Sequence, residues 1–272
     1  MSGAASSMVL PSPASTIAFV ALVLALALLL VVGVARAGRA LGEPAAQRSR
    51  WTLGTAIGIV AWLALTGALS ASGALERELL PPPVALFASG SMLVAIVAAF
   101  SPLGTRLVSG VPIAALVGVQ GFRLPLELVL HAWKEQGVLP VQMTFEGHNF
   151  DIVSGVLALA TAAWLLRKTS PAAIWLFNSV GFALLLVVAS IAVLSTPLPI
   201  RAYHNEPAVL LAFHFPYGWI IPICVGGALF GHLLVFRWLV ITGRGARPSR
   251  PIGEAAGGPP TREVAAPARS SA

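Results

Sequence analysis

Of the 272 residues, 57% are hydrophobic and only 10% are charged, and the net charge is +7. With a mean hydropathy of +0.87, the chain has too few charges to cover a water-facing surface, since soluble domains carry about 25%. Composition therefore excludes an ordinary soluble domain. The basic residues sit in short loops and in the tail, a distribution that orients a membrane protein and does not suit a nucleic-acid partner.

Apolar runs of span length recur along the chain, and a helix of about 20 residues crosses about 30 Å of hydrocarbon. The pattern predicts an all-α membrane protein with seven transmembrane helices, near 17–35, 52–72, 83–100, 107–133, 151–166, 171–195 and 209–240. An amino-terminal stretch, 1–16, precedes them. A basic tail, 243–272, rich in Gly, Pro, Ala and Arg, follows and is expected to be disordered, its basic start touching anionic lipid headgroups. The breaks carry helix punctuation: Pro81-Pro82-Pro83, Ser101-Pro102, Ser170-Pro171 and Thr196-Pro197-Leu198-Pro199.

Arg36, Arg39, Arg48, Arg50, Arg106, Arg167, Lys168, Arg237, Arg244, Arg247 and Arg250 fall on one side if seven spans alternate, against Arg77, Lys134 and Arg201 on the other. The amino terminus is then outside and the carboxyl terminus cytoplasmic. The first span reads as an uncleaved anchor, because no positive charge precedes its apolar core. Arginine far outnumbers lysine and alanine is abundant, composition associated with a bacterial inner-membrane protein. The lone Cys224 rules out an intrachain disulfide.

The fourth span carries the chemistry. Gln120, Arg123, Glu127 and His131 share one helical face, with Lys134 beyond them. A charge near mid-membrane costs about 3 kcal/mol or more, so this face must meet other helices or a wet cavity. Arg123 and Glu127 are spaced to pair with each other. Counted from Arg106 at the inner boundary, Arg123 lies about 25 Å up a continuous helix, close enough to the outer interface to snorkel. Pro125 inside that helix would free the carbonyl of Gly121.

The next loop packs Glu146, His148, Asn149 and Asp151 into six residues, with Phe145 and Phe150 beside them. Asn149 or Asp151 suits the cap of the fifth helix. The loop's apolar residues, Val138 to Phe145, suit re-entry onto the bundle. Arg201, Tyr203, His204, Glu206, His214 and Tyr217 gather at the same end, whereas His232 lies towards the other. The strings FRLPLELVLH and PVQMTFEGHNFDIVSG resemble a recurrent pattern in multispan bacterial membrane proteins whose family has no assigned activity. The resemblance implies that the two segments belong together and transfers no site residue.

Three functions fit. The first is an outward-facing pocket between spans four, five and seven that binds or transports a small polar or anionic ligand. Gln120, Arg123, Glu127, His131, Glu146, His148, Asn149 and His214 are its contacts, with Arg123 meeting the anion. The second is a zinc-dependent hydrolase acting on lipid, with His131, His148, His204 and His214 as candidate ligands, although no HxxxH or HExxH spacing is present. The third is a structural or assembly protein without a ligand. A haem between His131 and His214 is a weaker fit, and no cofactor is specified by the sequence.

Overall fold

The computed structural model describes residues 9–245, with side chains described to residue 242. The expected tail therefore falls almost wholly outside the described residues. Among the described residues all regular structure is helical: α1 Pro13–Ala40, α2 Ala45–Ala71, α3 Pro83–Phe100, α4 Pro102–Gly110, α5 Ile113–Gly118, α6 Arg123–Glu135, α7 Asp151–Leu165, α8 Pro171–Ser195 and α9 Gly226–Gly245. Six stretches are long and apolar enough to cross a membrane: α1, α2, α3, Ile113–Glu135, α8 and Tyr217–Thr242. This is the architecture of a multispan α-helical membrane protein. The remaining apolar helix, α7, has 15 residues, about 22 Å at 1.5 Å per residue.

Three Ser-Pro pairs start helices by one mechanism. Ser12, Ser101 and Ser170 occupy N-cap positions and accept from Ser15, Leu103 and Ala173 backbone N–H groups, while the following proline takes the first helical position. There its missing N–H costs nothing and its fixed φ suits the helix.

The helices pack as neighbours: α1 on α2, α4 and α6; α3 on α9, running parallel so that Arg237 late in α9 donates to the Ala99 carbonyl at the end of α3; α7 on α5, α6 and α8; and α8 on α9. Half of the best window of Ile113–Glu135 is buried, against 17% in α2, so the former is central and the latter peripheral. Leu24, Leu28, Ile57, Val60, Leu93, Val97 and Leu186 point outward, the apolar exterior a bilayer requires. At one end Phe19, Trp133 and Tyr217 pack ring against ring, with centroids 5.2 to 6.3 Å apart. At the other end buried Arg106 pairs with Glu43 and donates to the carbonyl of Val34.

Three departures from the sequence expectation have local causes. The fourth span does not begin at 107: Gly110 ends α4, Pro112 restarts the chain, and the crossing stretch runs from Ile113. The helix then tightens to a 3-10 turn at Val119–Phe122 before α6. Pro125 consequently falls in the first turn of α6, where a proline is tolerated. The seventh span begins at Tyr217, not 209, with a 3-10 turn and a π turn, Ile221–Val225, ahead of α9.

Candidate functional site

Starting the crossing at Ile113 moves Arg123 inward. It stands about 15 Å along the helix, and its side chain is 1% exposed. Snorkelling to the interface is ruled out by that burial. Its partner is Asp151 at the start of α7, not Glu127. The same Nη1 donates to the carbonyl of Gly181 at 3.2 Å, and Nη2 donates to His232 Nε2 at 3.1 Å. Because a guanidinium only donates, His232 accepts at Nε2 and carries its proton on Nδ1. That proton is donated to Asn178 Oδ1 at 2.8 Å, and Asn178 Nδ2 donates to the His232 carbonyl at 3.1 Å. Four helices, α6, α7, α8 and α9, are thereby joined by one buried network.

Glu127 is bound separately. Asn149 Nδ2 donates to its Oε1 at 2.7 Å and to the Met143 carbonyl at 3.0 Å, while Asn149 Oδ1 accepts the Asp151 N–H at 3.0 Å. Phe150 holds the N-cap position of α7 without a side-chain cap, Asn149 one residue earlier accepts the first helical N–H, and Asp151 serves Arg123. The loop does re-enter: Val138, Leu139, Gln142, Met143, Thr144 and Asn149 are buried. Gln142 fixes it, donating to Ser195 Oγ at 3.1 Å and accepting from Asn205 Nδ2 at 3.0 Å.

Beside this network lies a cavity of about 330 Å³, lined by Arg123, Glu127, Asp151 and Trp133 and otherwise almost entirely by apolar side chains, among them Phe122, Leu126, Leu185 and Cys224. Ala85 and Ser89 on α3 and Val193 on α8 line it and are also exposed. Ile200, in the loop after α8, is a further exposed lining residue, so the cavity opens on the side of the bundle where the first two turns of α3 meet the last turn of α8 and that loop. Three buried polar atoms of its lining residues have no hydrogen-bond partner: Glu127 Oε2, Arg123 Nε and Trp133 Nε1. A buried polar atom left unpaired costs about 1–3 kcal/mol, so this wall is chemically unfinished.

The other expected contacts divide. Gln120 is buried and donates to the Ala228 carbonyl at 3.1 Å, part of the α9 interface. His131 stacks on Phe145, with Nδ1 3.4 Å from Glu146. His148 lies against Tyr203, His204 is exposed, and His214 faces Glu76 at 3.3 Å. The four metal-candidate histidines are not brought to one point. His131, Glu135 and Glu146 do present ligand atoms within 4.8 Å of one another, but Lys134 Nζ already donates to both carboxylates at 2.6 Å. In the neighbouring loop, Glu206 is held below the usual carboxylate range by its bond from Arg201, helped by the Ala208 N–H.

His232 and Asn178 are residues that sequence reasoning left out of the site, as is Asp151, which it gave only as a helix cap. The available signal was that each is a strongly polar side chain within an apolar helix, and such residues require partners. Comparison of the chain with protein families, with curated proteins and with solved structures returns no match.

Proposed function

We propose that the chain crosses a bacterial inner membrane seven times, with the arginine-poor end outside. In this reading it binds an amphipathic, membrane-dissolved molecule bearing a hydroxyl or amine head, with Glu127 as the principal polar contact. The observation that carries this is the unpartnered Oε2 of Glu127, a residue that lines an open and otherwise apolar cavity. A head group that donates to Glu127 and accepts from Trp133 Nε1 or Arg123 Nε would complete the wall. A small anion suits it less well, because Arg123 is already covered by Asp151, Gly181 and His232. The sideways opening favours a ligand arriving through lipid over one arriving from water.

The test is solvent extraction of the purified full chain followed by mass spectrometry of what it retains. Wild-type protein should carry a hydroxyl- or amine-bearing amphipath. Glu127→Leu should lose it, and Glu127→Gln should hold it about 2- to 10-fold less tightly, the equivalent of about 0.5–1.5 kcal/mol for one hydrogen bond. Equal retention by wild type and Glu127→Leu, with both folded, would remove Glu127 from the site.

A further inference from the structure

A second recess lies at the opposite, arginine-rich end, between α2 and a wall made by α1, α3 and α4. It joins an open recess of about 740 Å³ to a cavity of about 380 Å³, which share Leu30, Ile59, Trp62, Val94 and Leu103 as lining. Its floor on α2 is set by small residues one turn apart. Gly54 and Gly58 both line it, and a Cβ built on either would meet nothing within 4 Å. Glycine costs a helix about 1 kcal/mol relative to alanine, and here no neighbouring helix uses the room that these two create. The recess is distinct from the Glu127 cavity, with Phe122 between them as a shared wall.

The mouth of this recess is basic. Arg36 lines the inner cavity and Arg50 the open recess, where Gln47 adds an amide. Both arginines lie within about two turns of the loop joining α1 to α2, hence at similar depth, and both are exposed. Among the described residues neither forms an ion pair, whereas Arg106 nearby is paired with Glu43. Trp51 and Trp62 line the same trough. An apolar trough with two cations at its interfacial end matches a molecule with hydrocarbon chains and a negative head.

We propose that this groove holds one anionic phospholipid from the leaflet at the arginine-rich end. Its phosphate would lie between Arg36 and Arg50, and an acyl chain would lie along Gly54 and Gly58. Charge complementarity decides for a lipid over a helix of a second copy, because an apolar helix would bring no counter-charge to the two guanidiniums at the interfacial end. The inference does not depend on the ligand proposed for the Glu127 cavity.

The test is native mass spectrometry of the full chain in a non-ionic detergent, titrated with phosphatidylglycerol or with phosphatidylcholine of the same chains. Wild type should retain one phosphatidylglycerol at least 10-fold more strongly than phosphatidylcholine. Gly58→Trp, whose side chain would fill open space, should lose that lipid while remaining monodisperse with an unchanged Tm. If that variant does not fold, Gly54→Leu makes the same test. Arg36→Gln combined with Arg50→Gln should bring the two lipids to near parity. Equal retention of both lipids by wild type would overturn the proposal, as would phosphatidylglycerol binding that survives filling of the groove. A Gly58→Cys protein that cross-links to itself as a dimer would also overturn it, by placing a second copy in the groove.

Discussion

Asp151→Ala should be the most damaging single substitution at the buried network, costing about 3–5 kcal/mol and sharply lowering Tm and the yield of monodisperse protein. It removes the counter-charge of Arg123 in a site from which water is excluded, and an uncompensated buried charge costs this much. The compensating test is the double replacement Arg123→Met with Asp151→Leu. Replacing both ions with apolar groups of similar size is often nearly neutral, so the double variant should recover most of the loss. Recovery should fall short of complete, because the Gly181 carbonyl and His232 Nε2 also lose their donor. Thermal unfolding of both variants in one detergent gives the comparison. A double variant as unstable as Asp151→Ala would mean that the ion pair is not what the single substitution breaks.

Gly155→Leu should follow, at about 3 kcal/mol, near the upper end of overpacking costs. A Cβ at Gly155 would stand 2.9 Å from the backbone nitrogen of Leu124 as well as against its side chain. Backbone inside a helix cannot step aside as a flexible side-chain tip can. On the same interface Gly121 faces Leu159 and Gly118 faces Ala162, so small residues are what let α7 approach α5 and α6 closely enough for Asp151 to reach Arg123. The loss should therefore appear in Tm and also as weaker retention of the Glu127 ligand. A Gly155→Leu protein with unchanged Tm would show that the interface has slack that the packing does not suggest.

The fold was legible where the code is local. The Ser170-Pro171 start, the apolar runs and the burial of the 138–150 loop follow from short-range chemistry and composition, whereas the starts at Ser12-Pro13 and Ser101-Pro102 were not read as starts. The polar face of the fourth span was legible in part: Gln120, Arg123 and Glu127 are buried, as polar residues inside an apolar run must be, whereas His131 is half-buried and stacks on Phe145. What could not be read was which partner each would choose. Spacing made Glu127 the natural mate of Arg123, yet Asp151, 28 residues on, takes it, because α7 starts at the depth of Arg123 instead of at the surface. That depth depends on the break at Val111-Pro112, which looked like one point inside a longer helix. His232 was set aside as the lone histidine at its depth, and its partners come from α6 and α8, 109 and 54 residues away. Such contacts exist only once the helices are assembled.

The depth of Glu127 beneath the arginine-poor surface rests on α7, though only 15 residues long, being a full crossing that the re-entrant loop completes. Cysteine labelling measures this directly, because Cys224 is the single cysteine and is buried. In a Cys224→Ser background, Glu146→Cys and Thr169→Cys flank α7, and an impermeant maleimide applied to intact cells should modify the first and not the second. Gln47→Cys, at the arginine-rich end, should behave like Thr169→Cys. Labelling of both Glu146→Cys and Thr169→Cys in intact cells would contradict seven crossings and leave α7 a re-entrant helix within six.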